Sequence, residues 1–299
     1  CLTHHAEVVA QWVHQAHAEL LYSQLARYHA RCGYARYVYT AADLYRNQTL
    51  VHPDVEFVNA FTDDAKKWLT KYLPWELLLE QHTMYPAYIR YLPLERKHAA
   101  VEALRRCEGN WRNLVAMPKA GQPRFLRYCP VCAEEDRRGL GETYWHRAHQ
   151  VQRLRICPHH KCFLCDSEIP ISSKASPGLY AAENLIPVNN AVLLCNDATE
   201  IALSQYVLDV LQAPLTLDDT MPVGQYLLAK IPPCYRNHSN LVKNTAKLYS
   251  DYVAFYGPEM PTMAPAYMTK VFNGYLCDTF FVLQIAFFLR LTVTEITHL

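Results

Sequence analysis

Two short stretches carry residue types suited to gripping a metal ion: RYCPVCAEED at 127–136 and RICPHHKCFLC at 155–165. Two ligands two residues apart can hold one ion from a single tight turn, and two such pairs complete the tetrahedron that zinc prefers. Cys129 and Cys132 make the first pair, and Cys157 with His160 makes the natural second. Four protein donors leave no position for water or substrate, so the expected role is structural. Such a site contributes roughly 10–16 kcal/mol of apparent binding energy at neutral pH, enough to shape a segment with little core of its own. The spacing leaves alternatives open. His159 is one residue from His160, Cys162 and Cys165 form another close pair, and these two cysteines also fit as ordinary small buried residues.

Between the pairs lies GETYWHRAHQVQRLR at 141–155. Tyr144 and Trp145 are expected to pack under the metal knuckles. His146 and His149 read as packed side chains with satisfied hydrogen bonds, not as ligands. Basic residues are dense: Arg124, Arg127, Arg137, Arg138, Arg147, Arg153, Arg155 and Lys161, against Glu134, Glu135, Asp136 and Glu142. A locally basic metal module suits the phosphate backbone of double-stranded DNA, and Arg124, Arg127, Arg147, Arg153, Arg155 and Lys161 are the candidate contacts.

Nothing else in the chain points to chemistry. HAE at 5–7 mimics the H-x-E of zinc deaminases, but their second motif puts proline before a C-x2-C pair, whereas here Pro130 sits inside the turn. HExxH, G-x-S-x-G and a phosphate-cradling glycine loop are absent. The expectation is a protein that is not an enzyme.

The totals agree with a scaffold. Lys and Arg number 29 against 28 acids, a net charge of +1, so any basic surface is local and not a general nucleic-acid coat. Eleven cysteines are present, five of them clustered between 129 and 165. One tight cluster favours metal and a reducing, cytoplasmic compartment over a dispersed disulfide framework. The greasiest run, FFVLQIAFFL at 280–289, is half the length of about 20 residues that a bilayer requires, and it reads as a buried helix.

The elements that must position the quartet are mainly helical, with a small zinc-ribbon-like module. Periodicity predicts helices over 6–31, ended by Gly33; over 40–47, with Thr40 as N-cap; over 62–74, capped by Thr62; and over 94–110. A proline- and glycine-bearing linker follows at 117–125, and a second polar break at 169–178. Helical patterns return over 198–213, 222–230, 238–256, 264–275 and 278–299. In FLRLTVTEITHL at 288–299 a turn is followed by Thr294-Glu295, which can open a second helix, an order compatible with a helix-turn-helix. The predicted domains are a helical one over 1–118, the zinc module over 119–170, and a helical region over 171–299 that is cut short at its C-terminus.

FLRYCPVC, GETYWHRAHQ and ICPHHKCFL together resemble the zinc-binding core of the TniQ family. ELLYSQLARY at 19–28 is similar to that family's N-terminal motif, and EQHTMYPAYIRYLPLERKHAAVEAL at 80–104 is similar more narrowly to its TnsD-type target-site selectors. The resemblance implies an adaptor of a heteromeric transposon. Such an adaptor recognises the attachment site in DNA, or joins an RNA-guided CRISPR effector complex that does so, and recruits a TnsC-like AAA+ ATPase. It further implies one structural Zn2+ on Cys129, Cys132, Cys157 and His160, a nucleoid-associated bacterial protein, and no membrane. Glu19, Arg27, Arg96 and Lys97 are the candidate ATPase-facing residues. The reading from a different class is a stand-alone zinc-stabilised transcription regulator that binds an operator without an ATPase.

Overall fold

The computed structural model describes residues 19–46, 61–71, 73–107, 114–115, 124–171, 178–218, 221–236, 245–275 and 278–299. The HAE stretch, most of the 117–125 linker and the first residues of the predicted 6–31 and 238–256 helices lie outside them.

The described part is built from helices whose ends follow local chemistry. α1 (Leu21–Arg31) gives way to Gly33, which adopts a left-handed φ of 75°. Thr62 caps α3 (Asp63–Leu69), its hydroxyl accepting from the Ala65 N–H at 3.2 Å, with Asp63 and Asp64 at the positive end. α6 (Leu94–Arg106) buries Ala100 and Leu104 and ends at a left-handed Cys107. Thr40 departs from its expected place as a cap. It sits inside α2 (Tyr37–Leu44), where its buried hydroxyl meets His29 Nδ1 at 2.7 Å. α4 (Trp75–His82) and α5 (Tyr85–Ile89) complete the N-terminal half.

A two-stranded antiparallel sheet follows, β1 (Phe125–Tyr128) against β2 (Cys165–Pro170), with Arg127 opposite Asp166 and Tyr128 opposite Cys165. Between the strands lie α7 (Pro130–Leu140) and a 3-10 turn at Ala148–Gln150.

The C-terminal half holds α8 (Ala198–Gln212), α9 (Val223–Lys230), α10 (Thr245–Tyr256), α11 (Pro265–Phe272), α12 (Thr279–Phe288) and α13 (Val293–Thr297). Asp197 and Asp278 cap α8 and α12 by accepting from backbone N–H groups. The greasy run is the buried α12, and its one polar residue is accounted for. Gln284 accepts from the Tyr252 hydroxyl at 2.7 Å and donates to the Pro261 carbonyl at 2.9 Å. No helix among the described residues is long and apolar enough to cross a membrane. α13 starts at Val293, one residue earlier than expected. Thr292 and Glu295 form a reciprocal capping box, so Thr294 lies inside the helix.

One hydrophobic cluster runs from Leu20 to Leu299, across both expected domain boundaries. Polar clamps reinforce it. Arg90 donates to the Ala213 and Pro214 carbonyls, Arg147 to Leu211 and Gln81, and Lys97 to Thr216. Three cations from two parts of the chain thus grip the carbonyl-rich exit of α8, where the helix dipole is negative.

Candidate metal centre

The first knuckle is a helix start. Cys129 is the N-cap of α7, its sulfur accepting from the Cys132 N–H at 3.4 Å, with Pro130 in the first turn where a missing N–H costs nothing. The positive end of the helix dipole faces this sulfur and favours its thiolate. The second knuckle is a tight turn. The Lys161 N–H bonds the Cys157 carbonyl and the Cys157 N–H bonds the Cys162 carbonyl, both at 2.8 Å, with Lys161 at a φ of 55°.

The knuckles bring Cys129, Cys132, Cys157 and His160 together, their donor atoms within 4.8 Å of one another. Zn–S and Zn–N bonds of about 2.3 and 2.05 Å imply tetrahedral edges of about 3.8 Å between sulfurs and about 3.5 Å between sulfur and nitrogen. Cys132 and Cys157 are 3.7 Å apart, and His160 Nδ1 lies 3.5, 3.2 and 3.7 Å from Cys129, Cys132 and Cys157. His160 Nε2 is 3.0 Å from Glu135 Oε2. A carboxylate holding the outer nitrogen is how a ligating imidazole is kept in one tautomer. The donor set therefore fits a four-coordinate thiophilic ion.

Electrostatics point the same way. The neighbouring thiols, Cys132 first, donate to Cys129 and hold its pKa down, while Cys132, Cys157 and Cys162 are pushed up, Cys157 to about 12. A bound dication favours the thiolate form of every cysteine that ligates it.

His159 is exposed. Cys165 stands in β2 opposite Tyr128. Cys162 is buried with its sulfur 3.3 Å from Cys129, beside the quartet and outside its mutual contact set. Trp145 does not lie under the knuckles. It plugs the N-terminal helical half, its backbone N–H on Ser23 Oγ at 2.9 Å and its indole N–H on the Tyr180 carbonyl at 2.7 Å. Tyr144 stacks on His146 with ring centres 4.2 Å apart. His149 is fully buried beside Cys132, and burial holds it well below the usual imidazole range.

The basic residues are largely spent inside the molecule, which corrects their expected place on an open surface. Arg127 donates to the Val151 and Leu154 carbonyls, and burial lowers its pKa to about 10. Arg147 is buried on Gln81 and Leu211, lowered to about 9. Both are braces. Arg155 makes a two-pronged pair with Glu200 at 2.7 and 2.6 Å, Arg153 pairs with Asp278 at 3.1 Å over the Phe281 ring, and Arg124 lies beside the Gln152 amide. Of the six, Arg153 and Lys161 are the exposed ones, and Arg153 is held by Asp278.

The residues expected to face an ATPase are also mostly inward. Glu19 is buried against Arg27 at 2.7 Å, and Arg27 also pairs with Glu142 at 2.9 Å. Lys97 is buried on the Thr216 carbonyl. Arg96 is half-buried on α6. Glu135 and Glu142, which complete the His160 and Arg27 contacts, carry no sequence signal beyond being acids in a basic stretch.

The class defined here is a helical body carrying a cluster of three buried cysteines and one half-buried histidine that could hold a metal ion. The TniQ family model matches residues 10–164, a little over half of the chain and all four clustered ligands, and the chain belongs to the TniQ family. It is also similar to the Transposon Tn7 transposition protein TnsD of Escherichia coli, with 28% identity over 86 residues. That match spans 28% of this chain and 17% of the relative.

Proposed function

We propose that the chain is a DNA-targeting adaptor of a heteromeric transposon, which recognises the attachment site and recruits a TnsC-like AAA+ ATPase to direct insertion. The observation that carries this is the family match over the segment holding the whole quartet; the similarity to TnsD favours direct reading of DNA over delegation to a CRISPR effector complex. In this reading Zn2+ occupies Cys129, Cys132, Cys157 and His160 and fixes the 119–170 module between the helical segments 1–118 and 171–299. The ion staples two knuckles and performs no reaction step. Glu135 orients His160, and the α7 dipole favours the Cys129 thiolate. DNA contact falls to the exposed Lys161 and, beside it, to those of Arg124, Arg153 and Arg155 that exchange their internal partners for phosphate, the ATPase contact to the face around Arg96. The site of action is the bacterial nucleoid.

The test is a footprint of the full protein on candidate attachment-site DNA across salt concentrations, with and without an AAA+ ATPase encoded nearby. The expected result is a protected site, a steep loss of affinity with salt, and ATPase retained on DNA only when the adaptor is present. Specific DNA protection with no ATPase retention would favour the transcription regulator instead.

A further inference from the structure

His146 and His149 are left over when the quartet is complete, and His149 does not behave as a satisfied core residue. It is 1% exposed, its Nδ1 has no partner, and its Nε2 faces Cys132 Sγ at 3.7 Å. That separation is close to the about 3.5 Å edge of a sulfur–zinc–nitrogen tetrahedron. His146 is set up as a ligand in the same way as His160. Its Nε2 lies 2.8 Å from Asp136 Oδ2, which also accepts from the Thr143 hydroxyl at 3.0 Å. Adjacent acids on α7, Glu135 and Asp136, thus each hold the outer nitrogen of one histidine, leaving Nδ1 as the lone-pair nitrogen of both. Cys132 Sγ and one nitrogen each from His146 and His149 lie within 4.8 Å of one another.

We propose that Cys132 is a bridging thiolate, shared between the structural ion and a second zinc ion held by His146 and His149. Charge supports a second cation. Three thiolates around one dication leave a net negative centre, and the carboxylates of Glu135 and Asp136 border it, the buried Asp136 meeting His146 and Thr143 among the described residues. A dication at His146 and His149 offsets that charge and turns a buried, poorly satisfied imidazole into a ligand. Three protein donors leave one coordination position open to water, so the second ion exchanges faster than the first.

The proposal rests on zinc filling the first quartet, because Cys132 is common to both. The experiment is native mass spectrometry of the full chain after zinc loading and buffer exchange, for wild type, His146→Ala, His149→Ala and, should the alanine variant at 149 fail to fold, His149→Gln. Circular dichroism checks the fold of each. Two zinc ions per wild-type chain, falling to one in each histidine variant, is the expected result. A chromophoric chelator should take the two ions in two phases, the first at least tenfold faster and missing from the variants. One zinc per wild-type chain, unchanged in the histidine variants, overturns the second site and leaves the first intact; so do two zincs insensitive to both histidines. A metal-free chain with native helicity overturns both.

Discussion

At the residue scale the quartet was legible because its logic is local. C-x2-C and C-x2-H each close within one turn, so spacing put Cys129, Cys132, Cys157 and His160 forward while leaving His159, Cys162 and Cys165 open. Glu135 was not legible as a partner, since its role depends on the helix that Cys129 starts. Replacing Glu135 with Gln keeps the shape and removes the charge behind His160. Metal affinity should fall by about 10–100-fold, measured by competition with a chelator of known affinity; an unchanged value would mean the 3.0 Å contact does not orient the ligand. Lys97 offers a test by pH. Burial lowers its pKa below the ordinary 10.5. The unfolded chain therefore binds more protons in the window just below 10.5, and the Lys97 contribution to stability rises with pH. Chemical denaturation of wild type and Lys97→Met at pH 8 and pH 10 should show the wild type gaining relative to the variant at the higher pH. A constant difference would mean the amine keeps its normal affinity for protons.

At the element scale, caps were read where side-chain chemistry is unambiguous and missed where packing decided. Thr62 followed by two aspartates announces a helix start. Thr40 carries the same local signal, but its hydroxyl is taken by His29 and the helix begins three residues earlier, at Tyr37. Thr62→Ala should cost about 0.5–2 kcal/mol, measured by urea unfolding. Gly224 makes a stronger demand. A Cβ there would meet the Val271 carbonyl oxygen at 2.4 Å and that of Phe272 at 2.9 Å. Gly224→Ala must push α9 off the end of α11, and a loss of about 1–3 kcal/mol is expected. Stability within a few tenths of wild type would show that the two helices are not so closely packed.

At the scale of the whole molecule, sequence was least informative, because burial of a charged residue is set by partners far along the chain. Arg127, Arg147, Glu19 and Lys97 all read as surface charges. Gln81 and Leu211, which take the Arg147 guanidinium, are 66 and 64 residues away, and nothing near Arg147 announces them. Trp145 likewise belongs to the helix at Leu21–Arg31 and not to the knuckles that flank it in sequence. The consequence is that the segment holding the cysteine–histidine cluster is wired into both helical halves. Arg147→Ala removes the donor to the buried Leu211 carbonyl and the part-buried Gln81 carbonyl and should cost about 2–5 kcal/mol, with helicity and metal lost in one transition. Retention of the metal after the helices melt would make the module independent.

The central claim is that an ion on Cys129, Cys132, Cys157 and His160 holds this chain in shape, and a chelator titration followed by zinc content and far-ultraviolet circular dichroism on the same samples tests it most directly. The prediction is zinc in the purified chain and a loss of helicity that follows removal of the last ion. A chain that is fully helical with no zinc bound would contradict it.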